Sequence, residues 1–393
     1  MTVHLGVFVT HPIQYYTPWF RYLMHQIDIV VFYAHRQDAQ GHSVSGFGVA
    51  FEWDTPLLEG YPHRWLTNVA RHPSVVSFAG CDTPDVYALL RQKPFDACLI
   101  FGWGHKSSLQ AIHACWRYGI PVLMRGDSQL TTRRSRLKTI VKYLPYRWFL
   151  PRLSAHLYVG QRNKAYLRYY GVREEQLFFV PHFVDNDYFA THVQEIARHG
   201  KQLALRDHLG IPRHTFVVLY VGKFTPVKRP QDFVRAVVKI RQLSHTIPVH
   251  AILVGDGPLR LELQALAQPA ADRIHFVGFR NQSELPLFYQ TADVLILPGD
   301  ETWGLVVNEA MACGRPAIVS EAAGCSPDLI VEGQTGFTYP PGNVEVLAQR
   351  ILDLQQLCIH QPTIVEQAVA QKIAAYSFQR ATAGLEQALT IVT

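Results

Sequence analysis

Short apolar runs alternate with longer amphipathic stretches along the chain, and the alternation occurs twice. In the first half, strands are expected at Val3–Thr10, Asp28–Tyr33, Ala97–Phe101, Val122–Met124, His156–Val159 and Leu177–Val180. Helical spacing fills the gaps, as at Ser107–Tyr118 and Lys164–Tyr170. Continuous apolar runs, as opposed to strict apolar–polar alternation, describe strands buried on both faces, so the pattern predicts a parallel sheet covered by helices. A polar stretch at about 186–213 reads as a linker, and the alternation then restarts. Strands are expected at Phe216–Gly222, Ala251–Val254, Ile274–Phe279 and Ala292–Leu297, with another apolar run at Ala317–Val319. Beyond residue 340, Val344–Gln356 and Phe378–Leu389 carry helical spacing. The chain therefore divides into two Rossmann-like α/β domains, 1–190 and 191–375, followed by a last helix within 376–393.

In such folds ligands meet the loops after the strands. Three loops of the first half carry chemistry. Thr10-His11-Pro12-Ile13-Gln14-Tyr15-Tyr16 is polar and aromatic where a glycine-rich turn is common. Gly102-Trp103-Gly104-His105-Lys106 combines glycines that permit close approach with side chains able to stack on or hydrogen-bond a sugar. Arg125-Gly126-Asp127-Ser128 ends a strand and is expected to open a helix, so Asp127 is either a helix cap or a group reaching the reacting centre. His11, Gln14, Trp103, His105 and Arg125 are the candidate acceptor contacts, and each has a plain structural reading beside the functional one.

At 393 residues with 48% hydrophobic and 17% charged positions, the chain suits two folded domains, and no apolar run approaches the roughly 20 residues that span a bilayer. The start reads as a first strand, not a signal peptide, because His11-Pro12 interrupts it and no basic leader precedes it. Six cysteines without Cys-x-x-Cys pairing point to a reducing cytoplasm and to no zinc site. Charge changes the picture at one place. Between Ser128 and Arg173 lie eleven Lys or Arg and no Asp or Glu, which against the overall +6 leaves −5 for the remainder. Within it, Leu137, Val141, Leu144 and Trp148 recur at helical spacing among Arg133, Arg134, Arg136, Lys138, Lys142 and Arg147, with Pro145 expected to break or kink the helix. The 133–152 segment is either a solvated basic face or a surface for anionic lipid headgroups, and nucleic acid is the weaker third choice because no recognised motif accompanies the charge. Asp185-Asn186-Asp187 reads as a turn, not a metal site.

The strongest local pattern is Pro298–Pro316. An apolar strand ends at Pro298-Gly299, a loop carries Glu301, and a helix runs from Gly304 past Glu309 to Gly314-Arg315-Pro316. The first amides of a helix lack intrahelical partners and carry partial positive charge, so a phosphate can dock there, and two carboxylates nearby supply acceptors for sugar hydroxyls. The alternative leaves Glu301 as a loop acid and Glu309 as a solvated helix residue. Glu-x-x-Gly-Leu-x-x-x-Glu-Ala-Met-Ala-x-Gly-x-Pro resembles the Glu-x7-Glu signature of family 4 retaining glycosyltransferases of the GT-B fold. Lys223 and Lys228, after the Phe216–Gly222 strand, resemble the basic pair with which that family holds the donor diphosphate, with lysine at 223 where arginine is usual.

The resemblance implies two Rossmann-like domains facing across a cleft, the donor nucleotide sugar in the second and the acceptor in the first. It implies the base at Val277, Gly278, Phe279 and Arg280, the ribose at Glu309, the diphosphate at Lys223, Lys228 and the Gly304 and Leu305 amides, and the sugar at Glu301, with Gly222 beside the diphosphate. It also implies that the last helix packs back on the first domain. Where many of these enzymes carry a histidine near the donor sugar, this chain has Arg-Gly-Asp-Ser, and the His-Pro-Ile-Gln-Tyr opening is similar to a bacterial subgroup. The expected reaction is metal-independent glycosyl transfer with retention, from a UDP-sugar or alternatively a GDP-sugar, to a sugar, glycan or lipid-linked acceptor, with no separate cofactor. Lys223, Lys228, Glu301 and Asp127 are the catalytic candidates. A nucleotide-sugar epimerase of similar architecture and a non-catalytic nucleotide-sugar binder are the rivals.

Overall fold

The computed structural model describes residues 3–36, 51–130, 136–243 and 249–393, with no side-chain detail at 136–140. It contains two separate parallel sheets. The first has the order β3-β2-β1-β4-β5-β6-β7, built from β1 (His4–Val9), β2 (Asp28–Tyr33), β3 (His63–Trp65), β4 (Ala97–Phe101), β5 (Val122–Gly126), β6 (Ala155–Tyr158) and β7 (Leu177–Phe179). The second has the order β10-β9-β8-β11-β12-β13, built from β8 (Phe216–Val221), β9 (Val249–Val254), β10 (Ile274–Gly278), β11 (Val294–Leu297), β12 (Ala317–Ser320) and β13 (Gly336–Tyr339). All pairings are parallel.

The central strands are the continuous apolar runs of the sequence because helices cover both of their faces. Leu5, Val7, Leu99 and Leu123 are buried in the first sheet, and Val218, Leu219, Leu295 and Ile318 in the second. Two strands escaped the apolar pattern, β3 and β13, and both lie at sheet edges. His63-Arg64-Trp65 has no buried position, and Phe337 and Thr338 are only half-buried, so neither forms an apolar run.

Strand order reverses direction between β1 and β4 in the first sheet and between β8 and β11 in the second. Outside the carboxyl ends of such neighbours a crevice opens, because their crossover helices leave to opposite sides. The two switch points therefore select the loops after β1 and β4, and those after β8 and β11.

The first compact unit includes Thr55–His182 and Phe378–Thr393; the second includes 51–54 and Phe183–Ser377. The helix Phe378–Val392 is thus part of the first unit, where Trp19 Nε1 donates to Thr382 Oγ1 at 3.0 Å. It comes so close to β7 that a Cβ on Gly384 would lie 2.1 Å from the Phe179 carbonyl oxygen. The 186–213 stretch corrects the expected linker, since it folds as helices Asn186–Arg198 and Lys201–His208. Asp185 starts the first of these by accepting from the Tyr188 amide at 2.9 Å, which gives the Asp-Asn-Asp triplet a capping role. The helix Arg136–Phe149 also continues through Pro145, where the sequence predicted a break or kink.

Candidate functional site

In the second unit the loops after β8 and β11 are pinned together by their backbones. Asp300 N donates to the Val227 carbonyl at 3.1 Å. A Cβ on Gly299 would lie 3.0 Å from Lys228 Cα, so that turn packs directly on the Pro226–Lys228 helical turn. From the other side, Gly324 N donates to the Glu301 carbonyl at 2.9 Å. This clamp brings Lys228 Nζ within 2.8 Å of Glu301 Oε2, although 73 positions separate them in sequence.

Lys223 joins the same cluster. Its ammonium is held below the usual lysine range, first by partial burial and then by the charge of Lys228, with Glu301 opposing the shift. Two cations and one carboxylate thus share a half-buried corner at the switch point. A diphosphate arriving there would find positive charge already in place and partly stripped of water. Gly222 leads into this loop, and its amide donates to the Val254 carbonyl at 3.0 Å. Neighbouring Gly255 is fixed by space, since its Cβ would fall 1.9 Å from the Gly222 oxygen.

Gly304 is the N-cap of helix Leu305–Ala312 at φ 111°, a left-handed value that glycine accepts most readily. Leu305 begins the helix and is half-buried. Glu309 corrects the solvated-helix alternative: it is fully buried, and its Oε2 accepts from the Tyr289 hydroxyl at 2.5 Å. Contact between this carboxylate and a ribose therefore requires surrounding side chains to yield. Tyr289 was not singled out in the sequence, because a partner 20 positions away leaves no local pattern.

Val277, Gly278 and Phe279 lie half-buried at the end of β10, with Gly278 at φ 78° and Arg280 Nη2 donating to the Val277 carbonyl at 3.0 Å. Residues 51–54 pack on this turn, which the sequence did not foretell. The Phe51 and Phe279 ring centroids lie 4.5 Å apart, Asn281 Nδ2 donates to the Glu52 carbonyl at 2.7 Å, and the Ser283 hydroxyl donates to Asp54.

In the first unit, the loops after β1, β4 and β5 surround a small cavity of about 190 Å³ lined by Thr10, Tyr16, Arg125, Asp127 and His182 among others. Arg125 is buried there; its Nη2 donates to the Pro181 carbonyl at 2.8 Å and its guanidinium lies 5.6 Å from the Tyr16 ring centre. Burial lowers its pKa, while Tyr16 and Asp127 act in the opposite sense. His182 lines the cavity too, and burial followed by the Arg125 charge holds its imidazole well below the usual histidine range. Asp127 does not open a helix: no helix begins at 128–130, and Arg136–Phe149 is the next described one.

The other first-unit candidates separate. His11 Nδ1 sits 3.0 Å from Thr10 Oγ1, and Gln14 lies half-buried in the turn before helix Thr17–Leu23. His105 occupies the N-cap position of helix Lys106–Tyr118, with Nε2 2.9 Å from the Val75 carbonyl. Trp103 Nε1 donates to the Tyr146 hydroxyl at 3.2 Å. Trp103 and Asp127 also line a second, larger cavity of about 740 Å³. Among the described residues, no three His, Cys, Asp or Glu side chains gather as a metal cluster, and no helix is long and apolar enough to cross a membrane.

Residues 201–368 match the family described as glycosyl transferases group 1, a span that contains every candidate from Gly222 to Glu309. D-inositol 3-phosphate glycosyltransferase of Stackebrandtia nassauensis is 33% identical over 153 residues, 36% of this chain and 34% of that protein. The enzyme of that name from Mycobacterium tuberculosis strain H37Ra is 30% identical over 204 residues, 49% of this chain and 40% of the other. The alignments thus span only 34% and 40% of these curated relatives. Among solved structures, a glycosyltransferase from Rickettsia africae superimposes with a TM-score of 0.72 at 16% identity, covering 100% of this chain and 99% of that one. The Anabaena protein HepE, solved with UDP, gives 0.68 at 18% identity, covering 99% and 100%. The chain therefore has the α/β fold of the GT-B glycosyltransferases, with two Rossmann-like domains, and the match to the glycosyl transferases group 1 family is confined to residues 201–368.

Proposed function

We propose that the chain moves a sugar from a nucleoside-diphosphate sugar, UDP favoured and GDP the alternative, to a hydroxyl of a sugar, glycan or lipid-linked acceptor. Transfer proceeds with retention and without a metal. The observation that carries this reading is the Lys223, Lys228 and Glu301 cluster at the β8/β11 switch point, within the segment that matches the glycosyl transferases group 1 family. HepE, which shares the fold, has been solved with UDP and glucose together, and this supports UDP as the first donor to try.

In this reading Lys223, Lys228 and the Gly304 and Leu305 amides take up charge on the departing diphosphate, and Glu301 accepts from sugar hydroxyls. Glu301 exchanges its bond to Lys228 for those hydroxyls as the diphosphate engages the lysine. The turn from Val277 to Phe279 meets the base, and Glu309 reaches the ribose once Tyr289 releases it. The departing phosphate removes the acceptor proton as the glycosidic carbon–oxygen bond to the acceptor forms on the same face. Gly222 gives the diphosphate room, and Asp127, Arg125, His11, Gln14, Trp103 and His105 belong to the acceptor side. The six cysteines, none of them in a disulfide, fit a cytoplasmic setting, and the basic helix Arg136–Phe149 fits association with an anionic membrane face.

The test is release of nucleotide from UDP-glucose, UDP-galactose and GDP-mannose in the presence of simple sugar and alkyl-glycoside acceptors, with product configuration read by NMR. Transfer with retention is expected, and Lys228→Ala should lower turnover by about 10²–10³-fold with the protein still folded. A sugar isomerised without acceptor would establish the epimerase instead. Tight donor binding with no release from any acceptor would favour the non-catalytic binder.

A further inference from the structure

The two cavities of the first unit differ in chemistry and share a seam. The small one, at the ends of β1, β4 and β5, is lined by Thr10, Tyr16, Arg125 and His182, groups suited to hydroxyls. The large one is walled by Trp103, Leu109, Tyr146, Trp148 and Phe149 and has a volume of about 740 Å³, ample for part of a hydrocarbon chain. Gly102, Gly126 and Asp127 line both. A single molecule crossing the seam would thus place a polar head beside Asp127 and an apolar body against the aromatic wall.

The aromatic wall continues to the surface. Trp148 lines the large cavity and is still 55% exposed. It shares one face of helix Arg136–Phe149 with Val141 and Leu144, which are 65% and 74% exposed. Three large apolar side chains left in water at spacings of three and four are unusual on a soluble helix. Cations border them: Lys142 lines the cavity with Nζ 5.7 Å from the Tyr146 ring centre, and the Arg152 guanidinium lies 4.4 Å from that of Trp148. An apolar stripe edged by Lys and Arg, in a segment lacking acidic residues, is complementary to an anionic lipid surface and not to a soluble sugar chain.

We propose that the acceptor is an amphiphile, a sugar carried on a hydrocarbon aglycone and presented from an anionic bilayer. Its head lies in the Thr10–Arg125–His182 cavity and its chain along the Trp103–Leu109–Tyr146–Phe149 cavity. This rests on the glycosyltransferase reading and narrows its acceptor to one class.

The probes are octyl β-glucoside below its micellar concentration and methyl β-glucoside, each titrated into the full chain by calorimetry. The octyl glycoside should bind at least about tenfold more tightly, the gain from burying two methylenes. Leu109→Asp and Phe78→Asp, both at partly exposed positions of the large cavity, should abolish that preference while the melting point and the thermal response to UDP stay unchanged. Equal affinity for the two glycosides, or a preference that survives in both folded variants, would overturn the proposal. An octyl preference without any thermal response to UDP would leave the amphiphile cavity standing and sink the donor reading instead. A UDP response without the preference would do the reverse.

Discussion

At the scale of the residue, the donor-side geometry depends on close backbone contacts more than on the lysines themselves. Glu301 is placed by Gly324, whose Cβ would lie 1.8 Å from the Thr302 carbonyl oxygen. Backbone gives way less easily than a side chain. Gly324→Ala should therefore cost about 1–3 kcal/mol and weaken UDP binding, because the loop carrying Glu301 must shift; calorimetric titration of the variant checks both. Tyr289→Phe tests a different point. It removes the hydroxyl that donates to the buried Glu309 carboxylate and should lower stability by about 1–3 kcal/mol, measured by urea denaturation.

At the scale of the element, the sequence was most legible where strands are central and least legible at two of the four sheet edges, β3 and β13. Buried parallel strands such as β8 and β9 must be apolar at nearly every position, so they stand out as runs. β3 and β13 have one neighbour each and carry His, Arg, Thr and Gly, so nothing in their composition separates them from loops. The 186–213 region departs from the linker expectation for a related reason. Its helix Asn186–Arg198 buries only Phe189 among its residues, and its polar surface reads as linker unless the Asp185 cap is given weight. Asp185→Ala should cost about 1 kcal/mol, visible as a small drop in melting temperature.

The candidate site was legible where a motif is local, as with Glu301, Gly304 and Glu309 on one loop and helix. The packing of 51–54 on the β10 turn was not, since Asn281 and Glu52 are 229 positions apart and neither has a distinctive neighbour pattern. The small cavity was half-legible. Arg125 and Asp127 stand at the end of a strand and are candidates on that ground, whereas His182, three residues past the edge strand β7, has a cavity position that only the folded unit shows.

At the scale of the whole molecule, buried histidines make folding depend on pH on the acid side. Burial pushes His156 down to about 4, opposed by its bond to the Leu150 carbonyl. His250 also lies at about 4, through burial first and then the nearby His275 and Arg273. The unfolded chain takes up these protons near pH 6.5, before the native state does, so the stability these two imidazoles contribute is full above pH 6.5 and is lost as pH falls from there toward 4. A melting curve recorded across that window should show the decline, and His156→Gln should flatten part of it.

In the proposed reading, the β8/β11 switch point holds a nucleoside diphosphate between Lys223, Lys228 and the start of helix Leu305–Ala312. Thermal denaturation of the full chain with and without UDP, in the absence of added metal, tests it most directly, since a ligand bound only to the native state raises the melting temperature by mass action. A concentration-dependent rise in the parent protein that disappears in the folded Lys223→Ala/Lys228→Ala double variant is the predicted result. An equal rise in the double variant, or none with UDP or GDP in the parent protein, would contradict it.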